Sequence, residues 1–346
     1  MAISKTKRSF FWLLLLIIAS VIIIRNNQPK PETYQTSNGI VFGTIYKIIY
    51  LHDAPLSEEI KAELKRFDFS LSMFNQESII SKINTNQPTK LDSLCLKVFT
   101  RSLEISAQTN GAFDITVAPL VNAWGFGFKK QYQLSQEKID SLKQFIGYDK
   151  IHIEGDSVLI KDDPKIMLDC SAIAKGYACD VIGDLLLSHG VKNFMIDIGG
   201  ELTLKGHGPS SKDWRIGINK PVDDSLSINN EELSMIVAIS NVGIATSGNY
   251  RNFYYKEGKK YAHTIDPRTG YPIQHSLLSS TVIAKDCLTA DATATAFMVM
   301  GLEDSKRYLE NHPDVKACLI YTDENGLLKQ FISPLIKSKV SEVKNN

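Results

Sequence analysis

The segment "LTADATATAFMVMG", residues 288–301, puts a carboxylate at Asp291 and a hydroxyl at Thr295, four positions apart. On a helix that spacing stacks the two side chains one turn apart on a single face. Two hard oxygen ligands so placed suit Mg²⁺. The plainer alternative is a helix-start aspartate followed by one of several small threonines. Small residues at 290, 292, 294 and 296 favour the first reading, since they let another backbone come close. In "MLDCSAIAKGYACDVIGDLL", 167–186, a strand turns into a helix near Ser171 and Ala172, with Lys175 and Gly176 in the first helical turn. Free N–H groups at a helix start and an adjacent ammonium together suit phosphate, although the G-x-x-x-x-G-K of a P-loop is absent and a lysine here is often only a solvated charge.

Three further stretches carry chemistry-bearing side chains. "NGAFDITVAPLVNAWGFG", 110–127, sets glycines and a proline around Phe113, Trp124, Phe126 and the carboxylate of Asp114. Such aromatics can wall a planar ring or simply fill a core. "IDIGGELTLKGHG", 196–208, and "VGIATSGNYRNFY", 242–254, each read as a Gly-bearing turn after a strand, where backbone can approach a ligand or merely turn tightly. In "HTIDPRTGYP", 263–272, Asp266-Pro267 opens a turn, Gly270 supplies a left-handed position and Pro272 stops any helix. A hairpin accounts for those residues. It leaves His263 unexplained, the one group there able to move a proton near neutral pH.

The elements that must position these groups follow from periodicity. "IVFGTIYKIIYL" reads as a strand, and the folded body is expected to start near Ile40. "LSEEIKAELKRFDFSLSMF" reads as a helix opening at Ser57, and further helices are predicted over 92–109, 135–144, 172–189, 289–300 and 303–311. Strands are predicted at "KIHIEG", "SVLIK", "NFMIDIGG", "WRIGI", "MIVAIS", "KKYAHTI", "SSTVIAK" and "KACLIYT". Strands outnumber helices and short turns join several of them, so the fold class is α+β with mixed, largely antiparallel sheets flanked by helices.

Composition narrows the rest. With 346 residues, 43% hydrophobic and 22% charged content, the chain can bury a large core, and a formal net charge of +1 gives no electrostatic reason to expect nucleic acid. Residues 1–9 carry Lys5, Lys7 and Arg8 ahead of the apolar run Phe10–Ile24, which as a helix spans roughly 22 Å and can anchor in a bilayer if flanking Lys and Arg snorkel. A signal-peptide h-region would read the same way, but no small-residue cleavage site follows the run, so an uncleaved N-terminal apolar anchor helix or signal segment is expected over 10–24, with the body on the outer, periplasmic face of the cytoplasmic membrane. Residues 25–39 read as a tether, 40–336 as one folded domain and 337–346 as a fraying tail. The five cysteines have no C-x-x-C spacing, which suggests neither a zinc site nor a full disulfide framework, though one pair could oxidise in an exported body.

In order along the chain, "FGTIYKI", "LSMFNQESIISKIN", "GAFDITVAPLVNAWGFG", "LDCSAIAKGYACD", "MIDIGGEL", "WRIGINKP", "IATSGNYRNFYY", "HTIDPRTGYP" and "TVIAKDCLTADATATAFMVMG" resemble one family, the FAD:protein FMN transferases or ApbE family. The resemblance runs from about Phe42 to Gly301 and implies an ApbE-like fold. It also implies a magnesium-dependent reaction in which FAD is split at its pyrophosphate, FMN is joined by a phosphoester to a threonine of an acceptor flavoprotein, such as an Nqr- or Rnf-type subunit, and AMP leaves. Carried over by residue, the metal site falls on Asp291, Thr295 and the backbone carbonyl of Ala172. FAD contacts fall on Phe42, Phe74, Ala112, Phe113, Asp114, Asp169, Lys175 and Ile265, and His263 is the implied proton handler. The alternatives are a pyrophosphatase releasing free FMN and AMP, and a non-catalytic flavin-binding protein. Two departures stand out: Phe42 occupies a position where the family often has methionine, and an apolar run replaces the lipobox cysteine of many members.

Overall fold

A computed structural model describes residues 33–127, 134–155, 157–221, 232–249, 253–256 and 259–343, together with Trp12, Leu16, Ile17 and Ser20. The chain divides into two units, Met1–Thr33 and Tyr34–Asn346, and the fold is that of the second. The anchor expected over 10–24 falls almost wholly outside the described residues, and among those described no helix is long and apolar enough to cross a membrane.

The unit opens with a hairpin, β1 (Tyr34–Val41) and β2 (Thr44–Leu51). Residues 34–39 thus belong to the sheet rather than to a tether, and "IVFGTIYKIIYL" is two strand segments rather than one. The break is at Phe42 and Gly43, whose φ of 51° and 73° make the mirror-image two-residue turn that matches the strands' twist. Periodicity alone overlooked it because a bulky residue is rare at positive φ. There follow α1 (Ser57–Leu71), α2 (Ile79–Asn84), α3 (Ser93–Gln108), a 3-10 turn at Ile115–Val117, α4 (Ala118–Ala123) and α5 (Gln136–Lys143). Ser78, Asp92 and Ser135 cap α2, α3 and α5 by accepting from the N–H three residues on, so these starts are written locally.

The remaining elements are β3 (Ile151–Glu154), β4 (Val158–Lys161), α6 (Ala174–Ser188), β5 (Phe194–Ile198), β6 (Glu201–Lys205), β7 (Trp214–Asn219), β8 (Leu233–Ile239) and β9 (Val242–Gly248). They continue with β10 (Phe253–Lys256), β11 (Lys259–Ala262), β12 (Leu277–Ala284), α7 (Cys287–Met300), α8 (Leu302–Asn311), β13 (Lys316–Thr322), β14 (Leu328–Ile332) and β15 (Val340–Glu342). An eight-stranded sheet runs β1-β2-β5-β6-β9-β12-β13-β14, and its pairings are antiparallel throughout. A smaller sheet, β15-β8-β7, includes residues from the tail that was expected to fray.

Strand alternation builds three layers. On one face of the large sheet Tyr46, Ile48, Ile196 and Ile198 pack with Ile60, Leu64 and Phe67 of α1 and Ile182 and Leu186 of α6. The opposite-facing Leu202, Leu204, Ile244 and Ile320 pack with Trp214, Ile216 and Val237 of the small sheet. α7 is buried nearly all round, as expected of a helix enclosed by the core rather than laid on it. All five cysteines are buried free thiols, and burial pushes their pKa values up.

Candidate active site

A cavity of about 520 Å³ opens where the N-terminal turns of α6 and α7 meet the ends of β5, β6 and β9. Asp291 and Thr295 of α7 line it, with Lys175 of α6, Ala172 just before that helix and Glu201 at the start of β6. Asp291 is 3% exposed, and its Oδ2 accepts a hydrogen bond from the Gly176 N–H at 2.9 Å. In a regular helix start that N–H would go back to the carbonyl of Ala172. Its diversion to Asp291 leaves the Ala172 carbonyl available to another partner. Thr295 Oγ1 lies 3.1 Å from the hydroxyl of Ser247 on β9.

Two glycines permit this closeness. A Cβ on Gly176 would stand 2.3 Å from the Cys287 carbonyl oxygen, and one on Gly243 of β9 would stand 2.1 Å from the Cys287 nitrogen. Alanine gains about 1 kcal/mol over glycine in helix propensity, but forcing a methyl against fixed backbone costs about 1–3 kcal/mol or more. Gly176→Ala should therefore lower the urea midpoint. An unchanged midpoint would mean that α6 and α7 are not in the contact described.

The electrostatics of this corner are dominated by burial. Lys175 Nζ donates to Glu201 Oε1 at 2.9 Å. Burial works against the ammonium's charge, but Asp291 and Glu201 together outweigh it and raise the lysine's pKa above its ordinary value. Burial pushes Glu201 up to about 7 against the pull of Lys175, and it raises Asp291 likewise. Glu201 Oε2 is buried without a hydrogen-bond partner. Two buried carboxylates facing one ammonium leave an excess of negative charge that a small cation would relieve. One carboxylate, one hydroxyl and a backbone carbonyl are all hard oxygen donors, a set that fits Mg²⁺ with the remaining positions left to phosphate and water. Among the described residues no cluster of three or more His, Cys, Asp or Glu side chains forms a self-sufficient metal site.

The other walls come from loops. Ala112, Phe113 and Asp114 line the cavity just before the 3-10 turn, and Asp114 Oδ1 accepts from both the N–H and the hydroxyl of Thr116, at 2.8 and 2.7 Å. Asp169, also in the wall, caps its own turn through Oδ1, taking the Ser171 N–H at 2.8 Å and its hydroxyl at 2.6 Å. The Asp169 N–H donates to the Ile115 carbonyl at 2.6 Å, so the two aspartate turns are tied together. Phe74, 79% exposed, stands at the rim. Phe42 is not among the lining residues: its ring packs on Phe67, 5.4 Å between centroids.

His263 directly follows β11 and lines the cavity, its ring edge-on to Phe126 at 6.4 Å. Ile265, in the wall beside it, bridges to Pro272 and closes the turn. Arg268 and Asp266 spend their charges on each other through two 2.9 Å hydrogen bonds. Trp124 is not in the wall. It latches the turn instead, donating from Nε1 to the Gly270 carbonyl at 2.8 Å. The chain thus brings Phe74, Ala112, Phe113, Asp114, Asp169, Ala172, Lys175, His263, Ile265, Asp291 and Thr295 around one cavity. Sequence reading passed over Glu201 and Ser247, both inside stretches noticed only for their glycines; a carboxylate directly after Gly-Gly was the available signal.

Comparison with known proteins places this geometry. A family model described as the ApbE family matches residues 42–319. The FAD:protein FMN transferase of Escherichia coli strain K12 is 36% identical over 338 residues, covering 92% of this chain and 94% of the relative. That of Vibrio cholerae is 34% identical over 324 residues, covering 90% and 95%. Among solved structures, the flavin transferase ApbE from Vibrio cholerae superposes with a TM-score of 0.79 at 35% identity, covering 89% of this chain and 100% of that one. The apo flavinyl transferase ApbE of Pseudomonas stutzeri gives 0.78 at 29% identity, covering 90% and 98%.

Proposed function

The chain belongs to the ApbE family, and from that premise we propose that it transfers FMN from FAD to a threonine of an acceptor flavoprotein, with Mg²⁺, releasing AMP. The observation that carries the reading is one cavity holding a hard-oxygen donor set, a half-buried ammonium and a histidine. Phe113 and Phe126 offer apolar faces for the flavin ring, and Lys175 meets the pyrophosphate. Asp291, Thr295 and the Ala172 carbonyl hold the Mg²⁺, which when bound neutralises charge on the pyrophosphate oxygens.

In the transfer, the acceptor's threonine oxygen forms a bond to the FMN phosphorus as the anhydride bond to AMP breaks. His263 takes the threonine proton, and AMP leaves with the anhydride oxygen as part of its phosphate. Lys175 keeps its charge because Glu201 pairs with it, so it does not compete as a base. The acceptor is a subunit of Nqr or Rnf type or a comparable FMN-binding domain, and the body works on the outer face of the cytoplasmic membrane. The basic residues ahead of the apolar run at Phe10–Ile24 support that placement.

Incubating the full chain with FAD, Mg²⁺ and an FMN-binding acceptor domain should give flavin fluorescence that stays with the acceptor on a denaturing gel. Absence of covalent flavin on every acceptor of this class tried would overturn the reading.

A further inference from the structure

Asp180 lies on α6, yet its carboxylate serves two other elements. Oδ1 accepts from the Cys287 N–H at 3.0 Å and from the Thr203 hydroxyl of β6 at 2.7 Å, and Oδ2 accepts from the Leu288 N–H at 2.8 Å. Cys287 and Leu288 open α7, where N–H groups have no partner within the helix. α7 already has an ordinary cap: Asp286 accepts from the Thr289 N–H at 2.8 Å. Asp180 is a tie between elements rather than a second cap. It joins α6, which carries Lys175, to α7, which carries Asp291 and Thr295, and to β6, which carries Glu201.

The same joint is closed on both sides by glycine. Cys287 sits between Gly176 and Gly243 with no room for a methyl group at either position, so α7 cannot move sideways into its neighbours. Along its axis α7 is held by directional bonds: the Gly176 N–H to Asp291, and the two N–H groups at successive positions that must both meet the Asp180 carboxylate.

We propose that Asp180 is a positioning residue for the transfer site: it sets the register of α7 against α6 and β6, and thereby holds Asp291 and Thr295 level with Ala172 and Lys175. The assignment rests on the metal site proposed above. Partial burial pushes the Asp180 carboxyl up to about 7, offset in part by its three donors, as expected for a half-buried acid held by hydrogen bonds rather than by a cation.

The test is Mn²⁺ binding to the FAD-loaded full chain, read as loss of the free Mn²⁺ electron-spin-resonance signal, together with melting temperature. Asp180→Asn has the same shape but must turn an NH₂ toward an N–H or hydroxyl donor. It should weaken Mn²⁺ binding about 10-fold or more, the scale seen when a group supporting metal ligands is lost. Thr203→Val, which removes one donor to Asp180, should shift affinity in the same direction by less, and decides the matter if the Asn variant does not fold. Asp286→Ala should lower the melting temperature and leave Mn²⁺ affinity unchanged. Wild-type Mn²⁺ affinity in both the Asp180 and Thr203 variants, with only a lowered melting temperature, would reduce Asp180 to a structural tie and overturn the proposal. Failure of the underlying metal reading looks different: the wild type would not bind Mn²⁺, or Asp291→Ala would bind it as strongly as the wild type.

Discussion

Asp291→Ala abolishes FMN transfer, lowering kcat by about three orders of magnitude or more, while FAD binding persists in weakened form. The side chain is 3% exposed, lines the cavity and carries a charge that burial disfavours. A buried carboxylate of that kind needs positive charge against it, and the Lys175 ammonium near it is shared with Glu201, which takes its hydrogen bond. The substitution also strands the Gly176 N–H that Asp291 accepts, which costs about 1–3 kcal/mol of stability. Asp291→Asn separates the two effects, since its amide oxygen still accepts from Gly176 while the charge is gone. AMP release measured at saturating FAD should be lost in both variants, with stability lost mainly in the alanine variant. Turnover near wild type in Asp291→Asn would show that the carboxylate is a structural cap and not a ligand.

His263→Ala lowers kcat about 10²- to 10⁴-fold and leaves FAD and Mn²⁺ affinities close to wild type. The histidine directly follows β11 and lines the cavity. The turn it precedes is held by the Ile265–Pro272 bridge, the Asp266–Arg268 pair and the Trp124 latch, none of which uses the imidazole. A large loss of rate with little loss of stability is therefore the signature of a proton handler. Single-turnover AMP release, with partial recovery on adding free imidazole, is the measurement. Normal single-turnover rates in the variant would remove His263 from the chemistry.

Much of this arrangement is legible in the sequence. The Asp291–Thr295 spacing, the Lys175 helix start and the odd histidine before a proline turn are local patterns, and local patterns survive into the fold because caps and turns are set by neighbouring residues. What could not be read were the pairings between distant stretches. Nothing near Lys175 in sequence announces Glu201, and nothing near Asp180 announces the first N–H groups of α7. Gly176 reads in sequence only as part of a helix start and Gly243 only as part of a Gly-bearing turn, and neither stretch announces the Cys287 backbone that packs against both. The Phe42–Gly43 turn was hidden for a different reason: strand periodicity on both sides ran through it, and a phenylalanine is an unusual residue at positive φ. Trp124, for which ring wall and core filler both stood open, serves instead as a latch on the turn carrying Ile265.

The central claim is the fate of the FMN phosphoryl group. Full-length chain, FAD, Mg²⁺ and an acceptor domain are incubated together, AMP and free FMN are quantified, and the acceptor is digested and mapped by mass spectrometry. The account predicts one AMP released for each FMN found on an acceptor threonine, with little free FMN and no modification when that threonine is replaced by valine. AMP accompanied by an equal amount of free FMN, with the acceptor unmodified, would contradict it and make the protein a pyrophosphatase.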